Sequence, residues 1–154
     1  MYIIWRNDVG KQMYDADEIA KLVIDVCIDE GKPVTNLKLQ KILYFLWIDW
    51  YGKTGEYLFD DRVEAWYHGP IVPDVYYRYR TFIADPIVTR TEHSISERDV
   101  PMLSRLISEY NSRSIGRLIA ESCTEGSPWD RVGGRASLYA EIGKDLMIDE
   151  SNRC

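Results

Sequence analysis

The side chains best suited to chemistry are two histidines and three cysteines, which would support nucleophilic catalysis if they met in space. His68 and His93 are the only imidazoles, and Cys27, Cys123 and Cys154 are the only thiols. A serine triad would require an imidazole beside a nucleophile, yet the sequence contains no G-x-S-x-G motif. No C-x-x-C or H-x-x-x-H spacing predicts a metal site. We therefore expect no catalytic residue, no metal and no cofactor, and we interpret Cys27 as a core residue.

Carboxylates and glycines in turns are the remaining candidates. Asp49 and the Asp60-Asp61 pair offer acids for general acid–base work, but such acids are usually exposed turn or helix residues. A phosphate-binding loop needs a glycine-rich turn after a strand, whereas Gly133-Gly134 lies among predicted helices. Neither pattern predicts an active site.

The His68-Gly69-Pro70 sequence predicts a shaped bend. Gly69 admits backbone angles closed to other residues, and Pro70 fixes φ and removes a hydrogen-bond donor. We expect the His68 ring to bond nearby backbone carbonyls, or else to contact a partner.

Composition places the chain among ordinary globular proteins. Its 154 residues are most simply one domain with its own hydrophobic core. The net charge is −6, and a division after Glu64 gives 8 basic and 12 acidic residues before it and 11 and 13 after it. Because both halves are net acidic, neither favours binding to the phosphate backbone of a nucleic acid. No apolar run approaches the roughly 20 residues of a membrane span. The odd, widely spaced cysteines indicate a reducing compartment, so we expect a cytoplasmic protein without membrane association.

Hydrophobic periodicity predicts two central helices. Asp15 and Glu18 form a D-x-x-E capping arrangement before an apolar run that ends at Gly31. Thr35 or Asn36 then caps a helix to about residue 50. We expect Gly52 and Gly55 to end this helix. Its apolar face should be buried at the centre of the fold, and consists of Leu39, Ile42, Leu43 and Leu46.

The rest of the chain predicts one extended segment and several shorter helices. Residues 62–67 alternate like a strand, and Pro73 begins a helix over 74–82. Further helix starts are predicted at 96–99, 114 and 127–130, and a last helix should carry Leu138, Ile142, Leu146 and Met147. The pattern predicts a mainly α fold, a single compact helical domain with a small β element (a short strand or hairpin). We assign residues 1–12 to an N-terminal extension and residues 13–150 to the domain.

The first two predicted helices also have about the lengths of a helix–turn–helix DNA reader. Asn36, Lys38, Gln40 and Lys41 provide polar side chains at the base-reading positions, but leucine and isoleucine dominate that helix and favour burial. We therefore expect no nucleic-acid binding and keep a DNA-binding regulator as an alternative.

Four motifs occur in order along the chain: N-L-K-L-Q-K-I-L-Y-F at 36–45, F-D-D at 59–61, E-A-W-Y-H-G-P-I-V-P-D-V-Y at 64–76, and S-P-W at 127–129. This series resembles the Panacea domain, a family of SocA-type antitoxins and many prophage proteins. The resemblance spans about residues 13–147. It implies a helical fold with a small β element, no cofactor and direct binding of a cognate toxin, often one that targets translation. It leaves open an adaptor that delivers its toxin to a Clp-type protease, and a phage counter-defence protein.

We expect the partner-binding surface to follow the His68-Gly69-Pro70 bend. The tyrosines there spread around much of a helical turn, so at least one ring or guanidinium should stay exposed. Tyrosine, tryptophan and arginine are also the residue types most frequent among binding hot spots. The predicted site comprises Trp66, His68, Tyr76, Tyr77, Arg78, Tyr79 and Arg80. The arginine-bearing segment 98–117 is the alternative surface.

Overall fold

The computed structural model describes residues 13–153. The predicted extension at 1–12 and the thiol of Cys154 lie outside these residues. The elements, in chain order, are α1 (Ala16–Asp29), α2 (Asn36–Thr54), β1 (Glu64–Trp66), β2 (Gly69–Ile71), α3 (Pro73–Arg78), a 3-10 helix (Arg80–Phe82), α4 (Val100–Asn111), α5 (Ile115–Ser122), α6 (Pro128–Arg131), a second 3-10 helix (Gly134–Ser137), β3 (Ala140–Glu141) and α7 (Lys144–Arg153). The prediction of a mainly α domain with a small β element is confirmed.

Helix α2 is the central element, and it packs against α1, α4, α5, α7 and β2. The Thr35 hydroxyl caps it by accepting the backbone N–H of Lys38 at 3.2 Å. Gly55 ends it with a φ of 73°, which favours glycine. Gly52, expected to help end the helix, lies inside it. The predicted burial of the apolar face is confirmed, because Leu39, Ile42, Leu43 and Leu46 are each 0% exposed.

At the start of α1, a free backbone N–H finds its acceptor in a residue distant in sequence rather than in the expected capping pair. Asp15 is the N-cap residue, but its side chain makes no capping hydrogen bond. The backbone N–H of Ala16 donates to the Asp61 carboxylate at 3.0 Å, and Glu18 accepts the backbone N–H of Ser94 at 2.7 Å. Asp15 therefore stands at the predicted N-cap position, but the predicted pair of side-chain caps was wrong, because Asp61 supplies the acceptor at the helix start and the Glu18 carboxylate binds Ser94. Asp61, a candidate acid, therefore holds a helix end, and its burial raises its pKa.

Three short antiparallel strands form a sheet in the order β2-β1-β3. Trp66 pairs with Gly69, so β1 and β2 form a tight hairpin whose turn is Tyr67-His68. The pairing of Ala65 with Ala140 adds β3, which the sequence did not predict. The expected last helix was wrong over this stretch, since Leu138 precedes the strand and α7 begins only at Lys144.

The helix expected over 74–82 divides into two pieces. α3 ends at Arg78, and a 3-10 turn follows. Ile83 then closes this turn with a φ of 57° and is 81% exposed. Positive φ is unusual for a β-branched residue and costs backbone energy.

One continuous core joins the buried faces of the helices and includes Cys27, which is 0% exposed. Burial raises the pKa of this thiol to about 12, so it packs as a small hydrophobic group, as predicted. Across residues 13–153, no helix combines the length and the apolar character needed to cross a bilayer.

Candidate partner-binding site

Polar side chains on the first turns of α2 hold the chain that follows the hairpin. Gln40 accepts the backbone N–H of Val72 through Oε1 at 2.8 Å and donates through Nε2 to Asn36 Oδ1 at 3.1 Å. Asn36 in turn donates through Nδ2 to the Tyr76 carbonyl at 3.0 Å. Both amide side chains are buried. Two motifs that are separate in sequence therefore form one hydrogen-bonded unit.

Lys41 completes this unit from inside the core. Its Nζ donates to the Pro70 carbonyl at 2.6 Å, and the side chain is fully buried. Burial lowers the pKa of Lys41 to about 7, because no carboxylate of the described chain offsets the loss of solvation. Asn36, Gln40 and Lys41, which would be needed to read DNA bases, are thus occupied inside the protein.

Gly69 lets the hairpin approach α2 and α5 closely. Its φ is 113°, and an added Cβ would lie 2.7 Å from Ser122 Oγ and 3.2 Å from Lys41 Nζ. Any other residue would therefore strain the backbone and push the hairpin outward.

An open groove of about 580 Å³ lies between the hairpin, the segment 76–84 and the first residues of α2 and α5. Its size falls in the range of small-ligand sites. The walls are mostly apolar and aromatic, and they include the guanidinium of Arg80 and the imidazole of His68 but no carboxylate of the described chain. The principal apolar walls are Leu37, Trp66, Tyr67, Ile71, Tyr76 and Ile83.

Trp66 is the centre of an aromatic cluster beside this groove, which we define as Trp66, Tyr76, Tyr77 and Tyr139. Its ring centroid lies 4.8 Å from that of Tyr76, 6.1 Å from Tyr77 and 5.5 Å from Tyr139. The indole Nε1 donates to Glu64 at 2.9 Å, which orients the ring. Tyr77 and Tyr139 remain 52% and 59% exposed, so the cluster offers aromatic surface to a partner.

The structure brings together most of the predicted site, but not all of it. Trp66, His68, Tyr76 and Arg80 line the groove, and Tyr77 adjoins it with the Arg80 guanidinium 5.8 Å from its ring centroid.

Two predicted residues belong to other environments. The Arg78 Nε lies 3.0 Å from the Asp17 carboxylate of α1. Tyr79 is half-buried against the core, and burial raises its pKa. Neither side chain lines the groove.

His68 does not bond backbone carbonyls as expected. Its ring is exposed at the tip of the hairpin and lies edge-on to Tyr67, with 5.0 Å between the centroids. Among the described residues, no acceptor lies within hydrogen-bond distance of this ring.

Tyr67, Ile83, Arg135 and Tyr139 are among the residues of this surface that were not predicted. Arg135 stacks on the Tyr67 ring at 4.1 Å from the centroid and donates to the Tyr67 carbonyl at 3.1 Å. The pairing of β3 with β1 brings the Arg135–Tyr139 segment to the hairpin, and no local sequence pattern predicts this pairing. Tyr67 could have been predicted from the sequence, because the residue before His68 in a predicted turn should be exposed.

The residues first considered for chemistry are dispersed through the fold. His93 Nδ1 accepts the backbone N–H of Ile95 at 3.2 Å, and Asp49 accepts the Tyr110 hydroxyl. Burial raises the pKa of both Asp49 and Cys123. Within residues 13–153, no group of histidine, cysteine and carboxylate side chains has the arrangement of a metal site.

Comparison with known proteins gives two matches. The family described as "Antitoxin SocA-like, Panacea domain" matches residues 39–130, which include the hairpin and Arg80. A curated relative is Antitoxin SocA of Caulobacter vibrioides (strain NA1000 / CB15N), 30% identical over 145 residues. The match covers 86% of this chain and 77% of the relative. No solved structure shows a significant match.

Proposed function

Since this chain belongs to the family of SocA-like Panacea-domain proteins, we propose that it is an antitoxin that neutralises a cognate toxin by direct binding. The observation that carries the proposal is the identity of 30% to Antitoxin SocA across most of both chains. The proposed activity requires a binding surface and no reaction by this protein. The toxin is one that targets translation, as the family resemblance implies.

The groove and the aromatic cluster support a binding function and form the proposed toxin-binding surface. Trp66, Tyr76, Tyr77 and Arg80 are of the residue types that dominate binding hot spots. The buried side chains of Asn36 and Gln40 hold the backbone at Tyr76 and Val72, so this part of the surface loses little backbone freedom when a partner binds. A rigid surface with exposed aromatic rings suits protein recognition.

Co-expression with the reading frame adjacent to this gene is the direct test. We expect the neighbour alone to arrest growth and protein synthesis, and this chain to restore both and to co-purify with the neighbour. Loss of rescue together with absence of a complex would contradict the proposal.

Two variants separate binding from catalysis in the same assay. Among residues 13–153, His68→Ala and Cys123→Ser remove the more accessible of two imidazoles and of two thiols, yet a stoichiometric excess of either protein should still restore growth. Rescue lost at every dose, with folding and toxin binding intact, would indicate an enzyme instead.

The fate of the toxin distinguishes occlusion from delivery to a protease. Occlusion predicts that the toxin persists in the rescued cell as a stable complex. An adaptor for a Clp-type protease predicts that the toxin disappears unless the protease is deleted.

A further inference from the structure

We propose that the groove receives an acidic segment of the partner protein, with an apolar side chain seated among the aromatic walls and carboxylates paired to Arg80 and Arg135. This inference rests on the proposed function for the identity of the partner. The chemistry of the segment follows from the charges and shape of the groove.

The arginines beside the groove differ from most others in the protein. Eleven arginines lie within residues 13–153, and eight of them form ion pairs with carboxylates: Arg62, Arg78, Arg90, Arg98, Arg113, Arg117, Arg131 and Arg153. The three without such a pair in the described chain are Arg80, Arg105 and Arg135. Two of these three flank the groove. In a chain of net charge −6, the groove is thus bordered by two guanidinium groups that have no carboxylate partner in the described chain.

No carboxylate of the described chain neutralises this charge from inside the groove. The lining contains no aspartate or glutamate. The adjacent Glu64 is engaged by the Arg62 guanidinium at 2.8 Å and by the Trp66 indole at 2.9 Å. Both groove arginines lie over tyrosine rings, 5.8 Å from Tyr77 and 4.1 Å from Tyr67, which orients their guanidinium groups. An incoming carboxylate would therefore meet oriented guanidinium groups without competition from another carboxylate of the described chain.

The apolar part of the segment follows from the shape of the groove. A volume of about 580 Å³ accommodates one or two large side chains rather than a folded surface. The exposed Ile83 stands at its rim with a strained φ of 57°. A strained isoleucine that stays exposed gains little burial in the free protein, and a partner that covers it would bury this apolar side chain.

Single-stranded nucleic acid is the competing occupant, because aromatic rings with arginines can also stack bases. A phosphate backbone, however, needs a longer positively charged track than two arginines on an acidic protein. The observations therefore favour a protein segment.

Photo-crosslinking identifies the occupant with the adjacent-frame toxin as the probe. A benzoylphenylalanine at Ala84, inside the groove, should crosslink a toxin peptide that contains Asp or Glu beside an apolar residue. The same group at Val88, which is 65% exposed outside the groove, is the control. A crosslinked peptide that is basic would overturn the inference.

Charge reversal provides the quantitative arm. Arg80→Glu and Arg135→Glu should each weaken toxin affinity about 10-fold and reduce its salt dependence. Arg105→Glu removes an equally unpaired arginine from α4 and should leave affinity unchanged. Equal effects of all three, or none, would refute the role of the groove arginines. If the toxin binds both groove variants as tightly as it binds the wild type, this inference is contradicted while the proposed function stands.

Model peptides test the groove even if the adjacent frame encodes no partner. Two fluorescein-labelled peptides share leucine and tryptophan anchors and differ only in carrying Glu or Lys between them. The Glu peptide should bind about 10-fold more tightly in fluorescence polarisation, and Arg80→Glu should abolish this preference. Equal binding of both peptides, or tighter binding of labelled oligothymidine, would contradict the inference.

Discussion

At the scale of single residues, Lys41 has a structural role although its lowered pKa is typical of a catalytic lysine. A lysine with a pKa near 7 is what a general base requires, but this one is fully buried and bonded to the Pro70 carbonyl. The burial of this lysine should therefore affect the free energy of unfolding rather than any activity of the protein.

We predict that Lys41 makes stability rise with pH between about 7 and its unfolded value of 10.5. In this window the unfolded chain binds a proton that the folded chain does not, so lowering the pH favours unfolding. Below about 7 both states are protonated and the loss is complete. Relative to Lys41→Met, the wild type should gain roughly 1.4 kcal/mol per pH unit in this window.

Urea unfolding of both proteins across this pH range measures the difference. Lys53→Met, which removes an exposed lysine from the same helix, is the control and should follow the wild type. Parallel pH profiles for wild type and Lys41→Met would show that the buried ammonium is solvated or paired in a way the structure does not contain.

Ile83 carries a prediction in which stability and affinity change in opposite directions. Ile83→Gly should relieve the positive φ and stabilise the free protein by up to about 1 kcal/mol, because strain exceeds the added freedom of the unfolded chain. The same change should weaken toxin binding by removing apolar surface at the rim.

Thermal unfolding and titration with toxin test the two parts separately. Val88→Gly, at an exposed valine without positive φ, should gain no stability. If Ile83→Gly destabilises the protein, the strain argument is wrong, and if it binds toxin normally, Ile83 is no anchor.

At the scale of elements, local sequence patterns correctly predicted the features that depend on neighbouring residues. The Thr35 and Ser127 caps and the apolar face of α2 follow from short-range hydrogen bonding and helical period. β3 was missed because its pairing with Ala65 is a long-range contact between very short strands, and residues 138–142 have apolar spacing that also fits a helix.

The candidate site was predicted in part for the same reason. Helical spacing predicted that at least one ring or guanidinium of this segment would stay exposed, and Tyr77 is 52% exposed. The separation of Arg78 and Tyr79 from the groove depends on Asp17 of α1 and on the break after α3, neither of which is encoded locally. The burial of Asn36 and Gln40 depends equally on their partners beyond the hairpin.

Helix α2 supports a stability prediction for its apolar face. Leu43→Ala should lower the free energy of unfolding by about 2–5 kcal/mol through lost burial and the cavity left behind. Leu37→Ala is the matched control, because this leucine is only half-buried and lines the groove. It should cost less stability and more toxin affinity. A denaturation midpoint for Leu43→Ala close to that of the wild type would disprove the central position of α2.

At the scale of the whole molecule, the acidic chain should bind its own promoter weakly or not at all. Asn36, Gln40 and Lys41 of the apparent reader helix are buried, and the net charge is −6. A gel-shift assay should show no sequence-specific, salt-sensitive complex with the isolated protein. Tight binding that discriminates the promoter from random DNA would restore the regulator alternative.

The central claim is that a folded, rigid surface around Tyr77 and Arg80 holds the toxin without chemistry. Calorimetric titration of the purified toxin with Tyr77→Ala and Arg80→Ala measures this claim most directly, with unfolding free energies recorded beside it. Each change should weaken binding by about 1–3 kcal/mol and leave stability nearly unchanged, because both side chains are exposed. Tyr79→Ala, half-buried against the core, should show the reverse pattern. Wild-type toxin affinity in both folded surface variants would contradict the account.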